Sequence, residues 1–118
     1  MTTTAFATLP EPPYYAVIFS SLRTQTDAGE YDHMAERMVG LAQHQPGFLG
    51  MESTRGSDGF GMTVSYWSSP EAITHWRAHA EHRVAQEAGK AKWYEHYALR
   101  VALVERAYEG PGRQPHHV

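Results

Sequence analysis

The stretch YWSSPEAITHWRAHAEHRVAQEAGKAKWYEHYALRVALVER, from Tyr66 to Arg106, decides how the rest of the chain must be arranged. Ser69 suits a helix N-cap, Pro70 the first helical position, and Glu71 the turn where the helix dipole favours an anion. Gly89 is a natural end for that helix, and Lys90 to His96 predicts a further short helical turn presenting Trp93 and Tyr94. From Tyr97 to Ala107 the chain alternates, with Leu99, Val101 and Leu103 on one parity and Ala98, Arg100, Ala102 and Val104 on the other. That alternation predicts a strand.

Working outward, Phe60 to Trp67 alternates Met62, Val64 and Tyr66 against Thr63, Ser65 and Trp67, and Phe48 to Thr54 is a strand before it. The polar, glycine-bearing run Arg55 to Gly59 between them reads as a hairpin loop. Upstream, Asp27 and Glu30 form a capping-box pair, and Tyr31, Met34, Met38 and Leu41 recur at helical spacing, predicting a helix over 28–43 stopped by Pro46-Gly47. His33 and His44 fall on or beside it without an evident partner. Tyr14 to Arg23, YYAVIFSSLR, carries apolar residues at both parities and so calls for cover on both faces. The order is βαββαβ, the ferredoxin-like α+β arrangement, with two helices on one face of a four-stranded antiparallel sheet. The other face keeps apolar residues, and a twofold homodimer is the commonest way to bury them.

The 118 residues allow one domain, with 42% hydrophobic and 19% charged residues giving an ordinary globular composition. Three segments are expected: an extended arm over 1–13 ending in Pro10, Pro12 and Pro13, the folded domain over 14–109, and a disordered tail over 110–118. A formal charge of −3 with ten Lys and Arg offers no basic stripe for nucleic acid. The absence of cysteine removes thiol nucleophiles and thiolate ligands. No apolar run approaches the roughly 20 residues that span a membrane, and MTTTAFATLPEPP lacks the regions of a secretory signal. A cytoplasmic location is expected.

On a wheel of the second helix, Ile73, Trp76, Ala80, Val84 and the stem of Glu87 face the sheet. Glu71, His75, His79, His82 and Gln86 form a separate stripe. Three imidazoles at that spacing resemble a helical metal site, but the stripe is turned away from the apolar side, so a solvated face is the better reading and no metal is assigned. His79 lies nearest the apolar side. Trp76, Trp67, Trp93, Tyr97, Phe19 and Phe48 could wall a ligand cavity or simply fill the core. Arg100 is either an exposed edge charge or a cation aimed into that cavity. No GxSxG elbow, phosphate loop or HExxH is present.

PGFLGMES, MTVSYWSSPEAITHWRAHAEH and WYEHYALRVALVER, in that order, resemble the antibiotic biosynthesis monooxygenase family over about Tyr14 to Arg106. The resemblance implies a dimeric α+β barrel of two ferredoxin-like protomers joined sheet to sheet, each with a pocket between helices and sheet. It implies a cofactor-independent oxygenase acting on a small phenol or quinol, with Trp76 and Trp67 as walls, Arg100 stabilising a phenolate and His79 taking a proton. The alternative is a non-catalytic or stress-related dimer that binds a small apolar ligand. Haem degradation, also found in the family, is disfavoured: Trp76 matches the family's Trp, but Gln86 stands at its His position and Phe19 or Ser20 at its Asn position. Only His79 or His82 could replace that axial ligand.

Overall fold

The computed structural model describes residues 5–24, 37–88 and 94–111, with 81–88 and 94 described as backbone only. Asp27, Glu30, Tyr31, His33, Met34, Trp93 and 112–118 lie outside the described residues. The elements are β1 (Tyr14–Arg23), a helix α1 described over 37–43, β2 (Phe48–Arg55), β3 (Phe60–Trp67), α2 (Pro70–Ala88) and β4 (Tyr94–Val104). The strands lie in the order β2-β3-β1-β4, every neighbour antiparallel. This is the ferredoxin-like α+β fold.

Residues paired directly across antiparallel strands share a face, which assigns every side chain in the sheet. Val17 pairs with Ser65 and Val101, and Tyr15 with Trp67 and Leu103. These belong to the helix-bearing face, where buried Val17, Trp67 and Ile73 form a core against which Tyr15, Phe48, Ala72 and Trp76 pack. Ile18, by contrast, pairs with Val64 and Arg100 on the open face. The apolar residues at both parities of β1 are thus divided between the two faces.

Tyr94–His96 is strand, where helix was expected. Arg23 pairs with Tyr94 and Leu22 with His96 across an irregularity in register, so β1 draws the chain into the sheet early. The far end follows from the same pairing. Val104 meets Tyr14, the first residue of β1, so 105–107 find no strand partner and β4 stops short of Ala107.

Residues 7–13 carry no regular structure other than a bend, and they cross the open face. The Ala7 N–H donates to the Glu52 carboxylate at 3.1 Å, and the Ala7 and Leu9 side chains lie over Gly50. The Tyr66 hydroxyl donates to the other Glu52 oxygen at 2.7 Å, and Tyr14 meets Tyr66 edge-on at 5.7 Å. Burial, then the hydrogen bond to Glu52 and its charge, pushes the Tyr66 hydroxyl well above the ordinary tyrosine range. The pair therefore persists as a neutral phenol on a carboxylate.

Between α1 and β2, Gly47 adopts φ 87° and its carbonyl accepts the Ser68 N–H at 2.8 Å. A Cβ at Gly47 would lie 2.6 Å from the Ala72 Cβ. Both the left-handed backbone and the close approach of α2 demand glycine here. Gly47→Ala is expected to destabilise the protein by about 2 kcal/mol in thermal or urea melts. Gly40→Ala in α1, with nothing within 4 Å of its added Cβ, is expected to be neutral or to stabilise by up to about 1 kcal/mol.

Candidate functional site

The orientation of α2 is fixed at its first turn. The Ala72 N–H donates to the Ser69 hydroxyl at 3.1 Å, the N-cap bond expected from sequence. Ile73 is then buried and Trp76 half-buried against the sheet, while Glu71 and His75 are exposed. The side chains of His82, Val84, Gln86 and Glu87 lie outside the described residues.

Trp67 is fully buried and anchors a ladder of rings. Its indole N–H donates to the Ser65 hydroxyl at 2.9 Å. Phe48 meets it edge-on at 5.4 Å, and Trp76 stacks on it at 6.1 Å with the planes 23° apart. His79 continues the ladder, its ring 5.8 Å from that of Trp76. The His79 Nε2 atom is buried and has no hydrogen-bond partner among the described residues. An unsatisfied buried polar atom costs about 1–3 kcal/mol, so a group that bonds Nε2 is stabilised there.

The same face continues onto β4. Tyr97, Leu99, Val101 and Leu103 pair with Ser21, Phe19, Val17 and Tyr15 and so point to the helix side, yet all four are exposed, from 40% to 58%. Phe19 and Tyr97 are in ring contact at 5.6 Å. Because α2 leaves β3 at Trp67 and leads back toward Tyr94, it runs along the sheet from the Tyr15 end toward the Leu22 end. His79 extends the ladder one helical turn beyond Trp76.

Of the residues expected at a site, Trp67, Trp76, Phe48 and His79 form one contiguous cluster, and Phe19 and Tyr97 a second ring pair on the same face. Arg100 is exposed on the open face, opposite the helix-bearing side, so the sheet separates it from His79. Trp93 lies outside the described residues. A groove of about 370 Å³ opens at the N-terminal end of α2 between Gly47, Ser68, Glu71 and His75. It contains no aromatic residue of the ladder.

Several polar contacts carry no sequence signal. Arg55 donates from Nη2 to the Ser21 hydroxyl at 2.8 Å and from Nη1 to the Gly59 carbonyl, tying the hairpin to β1. His44 finds a partner in the Gly40 carbonyl, to which its Nδ1 is hydrogen-bonded at 2.9 Å. Only the period-two pairing of β1 with β3, which puts Ser21 beside Gly61, hints at the first of these.

A four-stranded antiparallel sheet in this order, with an aromatic ladder beneath the second helix, defines a ferredoxin-like protein. The chain belongs to the antibiotic biosynthesis monooxygenase family, whose model matches residues 14–88. It is 63% identical over 97 residues to the uncharacterized protein YqjZ of Bacillus subtilis, covering 82% of this chain and 84% of that protein. It is 28% identical over 102 residues to the jasmonate monooxygenase ABM of Pyricularia oryzae, covering 84% of this chain but 41% of that longer protein. Its fold matches SnoaB, a cofactor-independent oxygenase from Streptomyces nogalater, with a TM-score of 0.59 at 13% identity, over 87% of this chain and 100% of that one.

Ser65→Ala leaves the buried Trp67 indole N–H without an acceptor. Chemical denaturation is expected to show a loss of about 1–3 kcal/mol, whereas Ser65→Thr, which keeps the hydroxyl, is expected to lose less.

Proposed function

We propose that the chain is a cofactor-independent monooxygenase acting on a small electron-rich phenol or hydroquinone bound between α2 and the sheet. The observation that carries this reading is the buried Nε2 of His79, unpartnered among the described residues, at the end of the Trp67–Trp76 ladder. A general base must lie within hydrogen-bond reach of the proton that it removes. A phenolic hydroxyl directed at Nε2 meets that condition, and its ring finds Trp76 beside it. Family membership supports the oxygenase class.

In this mechanism His79 accepts the phenolic proton, and the imidazolium so formed stabilises the phenolate in a site from which the aromatic walls exclude water. The electron-rich anion passes one electron to O₂, and the superoxide and phenoxyl radicals combine to form a carbon–oxygen bond. The hydroperoxide then loses water, with the proton returned by His79, to leave a quinone. One phenol and one O₂ give one quinone and one water. Arg100 has no part in this scheme, since it stands on the other face of the sheet.

We further propose that protomers pair sheet to sheet as a homodimer. A second functional reading, a barrel that binds a small apolar ligand without turnover, is favoured by the exposed row from Tyr97 to Leu103.

Oxygen uptake with model hydroquinones tests the first reading. His79→Ala is expected to lower kcat by at least about 100-fold, and Trp76→Phe to raise KM more than it lowers kcat. Uptake unaffected by His79→Ala would sink the mechanism. A ligand-induced rise in melting temperature with no oxygen consumed would favour the binding reading instead.

A further inference from the structure

In a chain without cysteine, tryptophan and tyrosine are the side chains that lose a single electron most readily. Two of them are in contact on the helix-bearing face, where Trp76 stacks on Trp67 at 6.1 Å with the planes 23° apart. Trp76 is half-buried beside His79, and Trp67 is fully buried. The preceding residue of β3, Tyr66, points to the open face, because successive strand side chains alternate. Its hydroxyl donates to the Glu52 carboxylate at 2.7 Å, a length that belongs to a phenol on an ionised acceptor. Three oxidisable side chains thus run in series from the His79 side, through the sheet, to a proton acceptor on the other face.

We propose that Trp76, Trp67 and Tyr66 conduct an oxidising equivalent out of the site, with Glu52 taking the Tyr66 proton. The proposal rests on the oxygenase reading above, whose hydroperoxide intermediate supplies the oxidant. Homolysis of its O–O bond, in place of the loss of water, gives oxygen-centred radicals. Such a radical takes one electron from Trp76 and becomes the corresponding oxyanion. Trp67 then returns an electron to Trp76, and Tyr66 returns one to Trp67. As its electron leaves, Tyr66 passes its proton along the hydrogen bond to Glu52. One oxygen-centred radical, one tyrosine and one carboxylate become one oxyanion, one tyrosyl radical and one carboxylic acid, with the total charge unchanged.

The carboxylate decides where the radical stops. An oxidised tryptophan draws an electron from a phenol only when the phenolic proton can leave as well, and Glu52 is already hydrogen-bonded to that proton. Tyr15 also faces Trp67, as its partner across β1 and β3, so nearness to Trp67 does not by itself select Tyr66. Tyr14, edge-on to the Tyr66 ring at 5.7 Å and 4% exposed, shields the resulting radical. The oxidising equivalent is removed from His79 and Trp76, whose own oxidation would end the chemistry proposed for them.

The test uses the full chain without substrate. Because the chain has no cysteine, Ala78→Cys on the exposed side of α2 carries a single ruthenium polypyridyl label, photo-oxidised in the presence of a cobalt(III) quencher. Electron paramagnetic resonance of freeze-trapped samples, with and without ring-deuterated tyrosine, identifies the radical. A tyrosyl signal is expected, lost in Tyr66→Phe and in Trp67→Phe and replaced by a tryptophanyl signal in Glu52→Gln. Circular dichroism melts confirm that each variant is folded; Tyr66→Phe and Glu52→Gln decide the matter if Trp67→Phe does not fold. A tyrosyl signal that survives Tyr66→Phe but not Tyr15→Phe overturns this route, as does one indifferent to Glu52→Gln or a labelled chain that forms no tyrosyl radical. Oxygen uptake is a separate measurement, so the route can fail with the His79 chemistry intact, and a chain that consumes no oxygen can still display it.

Discussion

The antiparallel pairing of β1 on both of its edges is the constraint on which the structure depends. β1 is hydrogen-bonded to β3 along one side and to β4 along the other, and strand periodicity leaves no freedom in which residues go up or down. One parity supplies Tyr15, Val17 and Phe19 to the helix side; the other supplies Tyr14, Ala16 and Ile18 to the open side. A shift of one residue would place Ile18 beneath α2 and carry Val17 to the opposite face. The core, the aromatic ladder and the arm's landing place would be lost together.

Seen from this constraint, the two faces have separate chemistry. The helix-bearing side gathers rings around one imidazole nitrogen. The open side holds paired polar groups, with Glu52 receiving both the arm and Tyr66, and an arginine at the far edge. Arg100 is thus withdrawn from the helix-bearing side by the alternation that sends Leu99 and Val101 toward it.

Most of the fold was legible because it is written in local patterns. The alternation in Phe60–Trp67, the Ser69-Pro70 start of α2 and the Pro46-Gly47 stop are each decided within a few residues. The start of β4 was not, since Tyr94–His96 become strand through pairing with Leu22 and Arg23, about 70 positions away, and no local propensity records that. The site was legible in part. Helical spacing correctly turned Trp76 inward and His75 outward, but a wheel cannot show that His79 loses water from one ring nitrogen. The two readings left open for Arg100 were separable only by knowing which residue of β1 it faces.

The topology also has a consequence for how the protein is made. β1 leaves the ribosome before β2 and β3, and β4 after them, yet β1 and β4 are neighbours in the sheet. One edge of β1 must wait, unpaired, until β2, β3 and α2 have been synthesised and β4 follows. That edge of β1 is available to another nascent chain throughout the interval, whereas the apolar row of β4 emerges with its docking edge already in place.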